Sequence, residues 1–275
     1  MTDAVAAIRG ALGFLTRIPV GRADGDWEAF RRMPAALPAV GYAIGALVAL
    51  PVAAAALAPV RVPSLTVGVA FAAWLYLVTG ITHLDGVADV GDAAVVHGDA
   101  DRRREALKDS ALGVGGTVAL ALVVVGLVTA ATAIADVARR SLVDAVVVVV
   151  AAEVSAKAAT ATLVCVGDAP HEGLGSALTD ASGPRALAGV ALATAPVLLL
   201  GWPAGRPDAV VAVAGAPGSV VPIAGVLAAA GVVAALAYAW SNARLGGVSG
   251  DVLGATNELA RVVGLHAGVI AWTLS

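Results

Sequence analysis

Residues 113–135 read GVGGTVALALVVVGLVTAATAIA, a run with no charged side chain. It is long enough to cross a bilayer as a single helix, which takes about 20 mostly apolar residues. The same signature recurs at 37–60, 64–82, 142–166 and 218–240, and in a shorter uncharged form at 186–204. Composition agrees. Of 275 residues, 59% are hydrophobic and 13% charged, and mean hydropathy is +0.90. Ordinary soluble domains are about 45–50% apolar and about 25% charged. The expected fold is therefore all-α: a polytopic membrane helix bundle of six or seven transmembrane helices, one integral membrane domain over residues 1–275. The tail from Val252 to Ser275 is apolar but carries Glu258, Arg261 and His266, and reads either as the seventh span or as an interfacial helix. Pro51 should kink the first span rather than end it, because neighbouring helices can satisfy the freed carbonyl.

The same numbers exclude other classes. A net charge of −3 with no basic tract argues against a nucleic-acid binder, and the apolar content against disorder or a typical cytosolic enzyme. The single cysteine, Cys165, excludes a structural disulfide and a Cys-rich metal site, and its apolar surroundings read as packing. The N-terminus, MTDAVAAIRGALGFLTRIPV, has arginines on both sides of a short apolar run and no long signal-type core. An amphipathic interfacial helix fits it, with Ile8, Leu12 and Leu15 on one face.

Basic residues set the orientation. With a cytoplasmic N-terminus and six spans, Arg9, Arg17, Arg22, Arg31, Arg32, the Arg102–Lys108 group, Arg185, Arg244 and Arg261 fall inside. Arg61, Arg139, Arg140 and Arg206 fall outside. The acids follow the same bias and concentrate on the inner face. An inverted-repeat transporter finds no support, because no internal repeat is visible.

The chemistry-bearing segment spans about 83–113. His83-Leu-Asp-Gly-Val-Ala-Asp-Val-Gly-Asp92 follows directly on a hydrophobic run. Asp85, Asp89 and Asp92 stand at i, i+4 and i+7, so a helix presents them on one face. Three like charges so close repel, and a divalent cation relieves that repulsion. Oxygen-only ligands favour Mg²⁺ or Mn²⁺ over zinc, and magnesium is commonly held by one or two carboxylates plus substrate phosphates. The bland alternative is a solvated helix end marking the membrane boundary. His83 reads as an acid or base, a phosphate contact, or an interface marker.

Arg102 to Lys108 forms a short charged helix capped by Asp99 or Asp101. It reads as a positive-inside anchor or as a neutraliser of a diphosphate. Gly113, Gly115 and Gly116 then open the next span, where backbone N–H groups can approach an anion. Glu172 lies in an inner loop, Asp251 near the start of the last helix, and Glu153 and Lys157 at i, i+4 inside the fourth span.

These pieces resemble the cobalamin synthase family, the adenosylcobinamide-GDP ribazoletransferases. The resemblance rests on Phe14-Leu-Thr-Arg-Ile-Pro-Val20, Pro38 to Gly45, His83 to Asp89 with Asp92, Lys108-Asp-Ser-Ala-Leu-Gly113, Glu172 to Gly175 and Leu245 to Leu259. It implies a Mg²⁺-dependent enzyme of the cytoplasmic (inner) membrane. Such an enzyme joins adenosylcobinamide-GDP to α-ribazole or α-ribazole 5′-phosphate, releases GMP, and associates with other proteins of the cobalamin pathway. The family's metal-type aspartates map onto Asp85, Asp89 and Asp92, and its later acids onto Asp109 and Asp251. On that reading Asp85, Asp89, Asp92 and Asp109 bind metal, and Asp89, Asp92 or His83 takes part in catalysis. Arg102, Lys108, Lys157, Glu172 and Asp251 then hold substrate groups. The chain departs from the family pattern at Ala93 and Ala111, and Ser155-Ala156-Lys157 replaces a Ser-Arg pair.

Rival readings are a CDP-alcohol phosphatidyltransferase, whose D-G-x-x-A-R pattern lacks its arginine here, and a UbiA-type prenyltransferase, whose acidic motifs have different spacing. A cation transporter, the rival from another class, wants acids deep within spans.

Overall fold

The computed structural model describes residues 2–21, 23–109, 111–201 and 220–275. Among these residues the regular structure is helical, with no strand. The chain opens with α1 (Thr2–Leu15) and α2 (Asp26–Arg31), then α3 (Ala36–Val48), α4 (Leu50–Leu57), α5 (Ser64–Thr79) and α6 (Thr82–Val95). It continues through α7 (Ala100–Lys108), α8 (Val114–Ala138), α9 (Leu142–Val166), α10 (Leu174–Thr179), α11 (Leu187–Thr194) and α12 (Val197–Leu200). The last elements are α13 (Val220–Leu245) and α14 (Gly250–Leu274).

Two long helices form the centre. α9 is buried on nearly every face and packs against α3, α13 and α14, while α14 also packs against α6 and α8. Cys165, near the end of α9, is buried as a packing residue. The break between α3 and α4 is the expected work of Pro51. Its missing N–H frees the carbonyl of Leu47, and the indole of Trp74 on α5 donates to that oxygen at 2.8 Å.

By length and composition, three stretches of the described residues can cross a membrane: Ala36–Leu57, Val114–Ala138 and Val220–Leu245. The pair α5 and α6 makes a fourth if taken as one bent span. The expected six or seven are not reached on that criterion. α9 and α14 are long enough but carry charged side chains in their middles. The 186–204 stretch is broken into α11 and α12, and residues 202–204, like Arg22 and Arg206 of the orientation argument, lie outside the described residues.

The N-terminal helix forms as expected, but its stripe is directed differently. Ala7, Ala11 and Leu15 are buried against α2 and α3, with Ile8 and Leu12 at the edge of that contact. Small residues at i and i+4 let the helices come close, so protein rather than lipid takes this face.

One turn positions the site. α5 ends at Gly80, whose φ of +77° lies in the left-handed region where a side chain is strained. Beyond it α6 departs at 103° from α5. At 14 residues with three aspartates, α6 is too short and polar to cross a membrane itself. Of the bent pair, α5 is the apolar limb and α6 the polar one.

Candidate active site

The start of α6 meets the start of α14. At Gly86 a Cβ would stand 2.7 Å from the backbone oxygen of Asp251, so glycine is what lets the two helices touch. That crossing brings Asp85 and Asp251 into the wall of one cavity of about 520 Å³. Pockets of a few hundred Å³ suit small-molecule ligands. Phe14 from α1, His83 from α6, Thr160 from α9, His171 from the turn before α10, Leu174 from α10 and Asn257 from α14 also line it. Ser249 caps α14 by accepting the N–H of Val252 at 3.3 Å, and its hydroxyl donates to Asp251 Oδ2 at 3.2 Å. Asp251 therefore sits in the first turn and is not itself the cap.

Asp89 lies one turn beyond Asp85, half-buried. Burial, then the charges of Asp251, Asp85 and Asp92, push its carboxyl up to about 6. No lysine or arginine pairs with Asp85, Asp89, Asp92 or Asp251 among the described residues. The negative charge expected from the i, i+4, i+7 spacing is therefore uncompensated, and Asp251 adds to it from a distant part of the chain.

Asp92 is placed differently. Its Oδ2 accepts the N–H of Gly113 at 2.8 Å and its Oδ1 the N–H of Gly116 at 2.9 Å. The glycine-rich helix start does bind an anion, and that anion is the protein's own carboxylate. Asp109 ends α7 on the surface, where it accepts the N–H of Ala111 at 3.0 Å.

Among the described residues no three His, Cys, Asp or Glu side chains stand close enough to hold a metal ion by themselves. The donor chemistry of Asp85, Asp89 and Asp251 suits a hard cation shared with ligand phosphates, since all are carboxylates without a lysine or arginine partner among the described residues.

The basic helix α7 has Asp99 as its cap, accepting the N–H of Arg102 at 3.1 Å. Arg103 is buried and donates to the carbonyl of Ala93, at the end of α6, at 2.8 Å. Arg104 donates to the carbonyl of Leu245, at the end of α13, at 2.7 Å. Cationic side chains at helix C-termini are favourable, and here they tie α7 to two other helices. Arg102, Lys108 and Glu172 are exposed and outside the cavity wall.

Beneath the cavity, α9 and α14 share a buried charge cluster. Lys157 lies 2.5 Å from Glu153, the pairing expected from i, i+4. Arg261 binds both Glu153 and Glu258. Each of the four side chains is 1% exposed, and two acids balance two bases. Glu258 also accepts from the Tyr76 hydroxyl at 3.3 Å and stands 3.6 Å from His83 Nδ1. Lys157 is thus inside the bundle and absent from the cavity wall.

Sequence reasoning missed His171 and passed over Asn257. His171 lies beside the Glu172 that drew attention, lines the cavity, and has a buried Nδ1 with no partner. The only signal was a histidine in a Pro-His-Glu-Gly turn.

Comparison with known proteins gives the family of the chain. No solved structure matches the chain. The adenosylcobinamide-GDP ribazoletransferase of Halorubrum lacusprofundi is 58% identical over 98% of both chains. That of Haloquadratum walsbyi is 45% identical over 98% of this chain and 99% of its own. A third, from Methanocella arvoryzae, is 31% identical over 96% of each. The family model described as Cobalamin-5-phosphate synthase matches residues 7–269, so the chain belongs to that family.

Proposed function

We propose that the protein transfers the adenosylcobinamide-phosphate group of adenosylcobinamide-GDP to α-ribazole or α-ribazole 5′-phosphate and releases GMP. The observation that carries this reading is the cavity wall shared by Asp85 and Asp251, with Asp89 one helical turn along and within reach of their charges, in a chain of this family. A ribose hydroxyl attacks the phosphorus attached to the corrinoid, an O–P bond forms, and the bond to the bridging oxygen breaks. Such transfer is mainly alignment and neutralisation of phosphate charge. Mg²⁺ held by Asp85, Asp89 and Asp251 together with the phosphates would supply that neutralisation. Asp89 takes the hydroxyl proton, because both oxygens of Asp92 are already engaged by amides of α8.

A cation transporter would need unpaired acids in the membrane interior. Glu153 and Glu258 are interior acids, but both are paired to Arg261. We place the protein in the cytoplasmic membrane. α9 and α14 join the apolar helices as spans, since their buried charges cancel, and the 83–113 segment faces the cytoplasm. A cysteine at position 97 that reacts with an impermeant reagent from outside intact cells overturns that orientation.

Purified protein given adenosylcobinamide-GDP and α-ribazole should release GMP only when a divalent cation is present. Release of GMP without the ribazole acceptor, or none with both substrates and Mg²⁺, overturns the proposal.

A further inference from the structure

We infer that Asn257 is a positioning residue that fixes the tautomer of His83, so that His83 meets the cavity as a hydrogen-bond donor and not as a base. The inference deepens the proposed activity and rests on it for the identity of the ligand.

Asn257 is 1% exposed, on the turn of α14 that faces α6. Its Nδ2 lies 3.0 Å from His83 Nδ1 and 3.4 Å from Glu258 Oε1. Its Oδ1 is buried and has no partner. The direction of the amide follows from Glu258. Arg261 binds the same Oε1, so this oxygen is ionised and can only accept. Turning the amide over would put a carbonyl oxygen against a carboxylate oxygen. Two groups compete for His83 Nδ1, the Asn257 amide at 3.0 Å and Glu258 Oε1 at 3.6 Å, and at the shorter, hydrogen-bonding distance Asn257 Nδ2 donates, so the ring nitrogen that accepts carries no hydrogen. The neutral ring then bears its proton on Nε2.

His83 Nε2 makes no hydrogen bond among the described residues and is not buried, and the ring belongs to the cavity wall. Asn257 belongs to the same wall. One wall thus carries a donor, His83 Nε2–H, beside Asp85 and Asp251, while the acceptor Asn257 Oδ1 is sealed inside the protein. The donor suits a phosphate oxygen of the diphosphate. His83 keeps its proton throughout, and the hydroxyl proton leaves to a carboxylate.

The tautomer is read directly by nitrogen chemical shifts in protein labelled with ¹⁵N-histidine, at a pH where the ring is neutral. The His83→Gln spectrum identifies the His83 signals among the four histidines. The expected result is a pyridine-type Nδ1 and a pyrrole-type Nε2 in the unaltered protein. Asn257→Asp, which can only accept, should move the proton to Nδ1. A proton on Nδ1 of the unaltered protein overturns the inference. In turnover, the Gln amide can replace an Nε2–H donor but cannot act as a base. His83→Gln should keep GMP release within about tenfold, whereas His83→Ala should lose about a hundredfold or more. Equal loss in both overturns the donor role. If the unaltered protein releases no GMP at all, the proposed reaction fails while the tautomer measurement still stands.

Discussion

Asp92 on α6 accepts the backbone N–H of Gly116 at 2.9 Å, across a gap of 24 residues in sequence. Together with the Gly113 bond, this makes one carboxylate the cap of a 25-residue helix that starts on another element. Its first task is structural.

Asp92→Ala should therefore lower stability by about 1–2 kcal/mol, the scale of losing a helix cap. The check is thermal unfolding in detergent beside GMP release at a temperature where the variant is folded. Extra Mg²⁺ should not restore what is lost. A variant that melts like the parent yet releases no GMP assigns Asp92 to the chemistry instead.

Asp85→Asn and Asp251→Asn behave in the opposite way. Asn preserves size but removes the charge a hard cation requires, so both should insert and fold while GMP release falls about a hundredfold or more. Raising Mg²⁺ should restore part of the activity. Asp3→Asn, on the exposed first turn of α1, is the control and should be near neutral. Retention of parental turnover by both cavity variants sinks the carboxylate mechanism.

The carboxyl of Asp89 also sets a pH dependence. Its proton is bound more tightly in the folded protein, up to about 6, than in the unfolded chain, where 3.8 is ordinary. Between those values the folded state holds more protons, so stability falls as pH rises through the window. Without divalent cation, Asp89→Asn should match the parent near pH 4 and melt higher than it above pH 6. Adding Mg²⁺ should narrow the gap. A constant difference in melting temperature from pH 4 to 7.5 would mean that burial and the neighbouring carboxylates do not raise this carboxyl.

Arg261→Met leaves Glu258 without its cation and Glu153 with only Lys157, and should cost about 3–5 kcal/mol, as for breaking a buried pair. Lys157→Met costs less, because Glu153 keeps Arg261. It should also leave KM for adenosylcobinamide-GDP within a few-fold, since Lys157 lies behind the cavity wall. A large KM increase with unchanged melting would put Lys157 on the substrate.

Much of this was legible from local pattern. The apolar runs gave α9 to the residue and α8 and α13 to within a turn or so, with residues 218–219 of the last run outside the described residues; Asp99 announced the start of α7, and Pro51 announced the α3–α4 break. The acidic face of α6 was also visible, because i, i+4, i+7 spacing is a property of one helix. What lay hidden was every contact between distant segments. Nothing near Asp92 says that its oxygens meet amides two dozen residues on. Arg261 looked like a membrane-edge charge, yet it reaches Glu153 across 108 residues. Asp251 joined the acidic group only because Gly86 lets two helices touch. The stripe on α1 had the right period, but periodicity does not say whether lipid or protein covers it.

The cluster of Glu153, Lys157, Glu258 and Arg261 also constrains how such a chain can vary over time. Four charges that cancel in a dry interior are tolerable only as a set, and a change at one site leaves its partner stranded. Glu153 serves two cations and Arg261 two acids, so neither can be replaced alone without an intermediate that folds badly. Substitution at these positions has to proceed in matched steps across two helices. His83, which touches the set through Glu258, ties the freedom of the cavity wall to that of the bundle's interior.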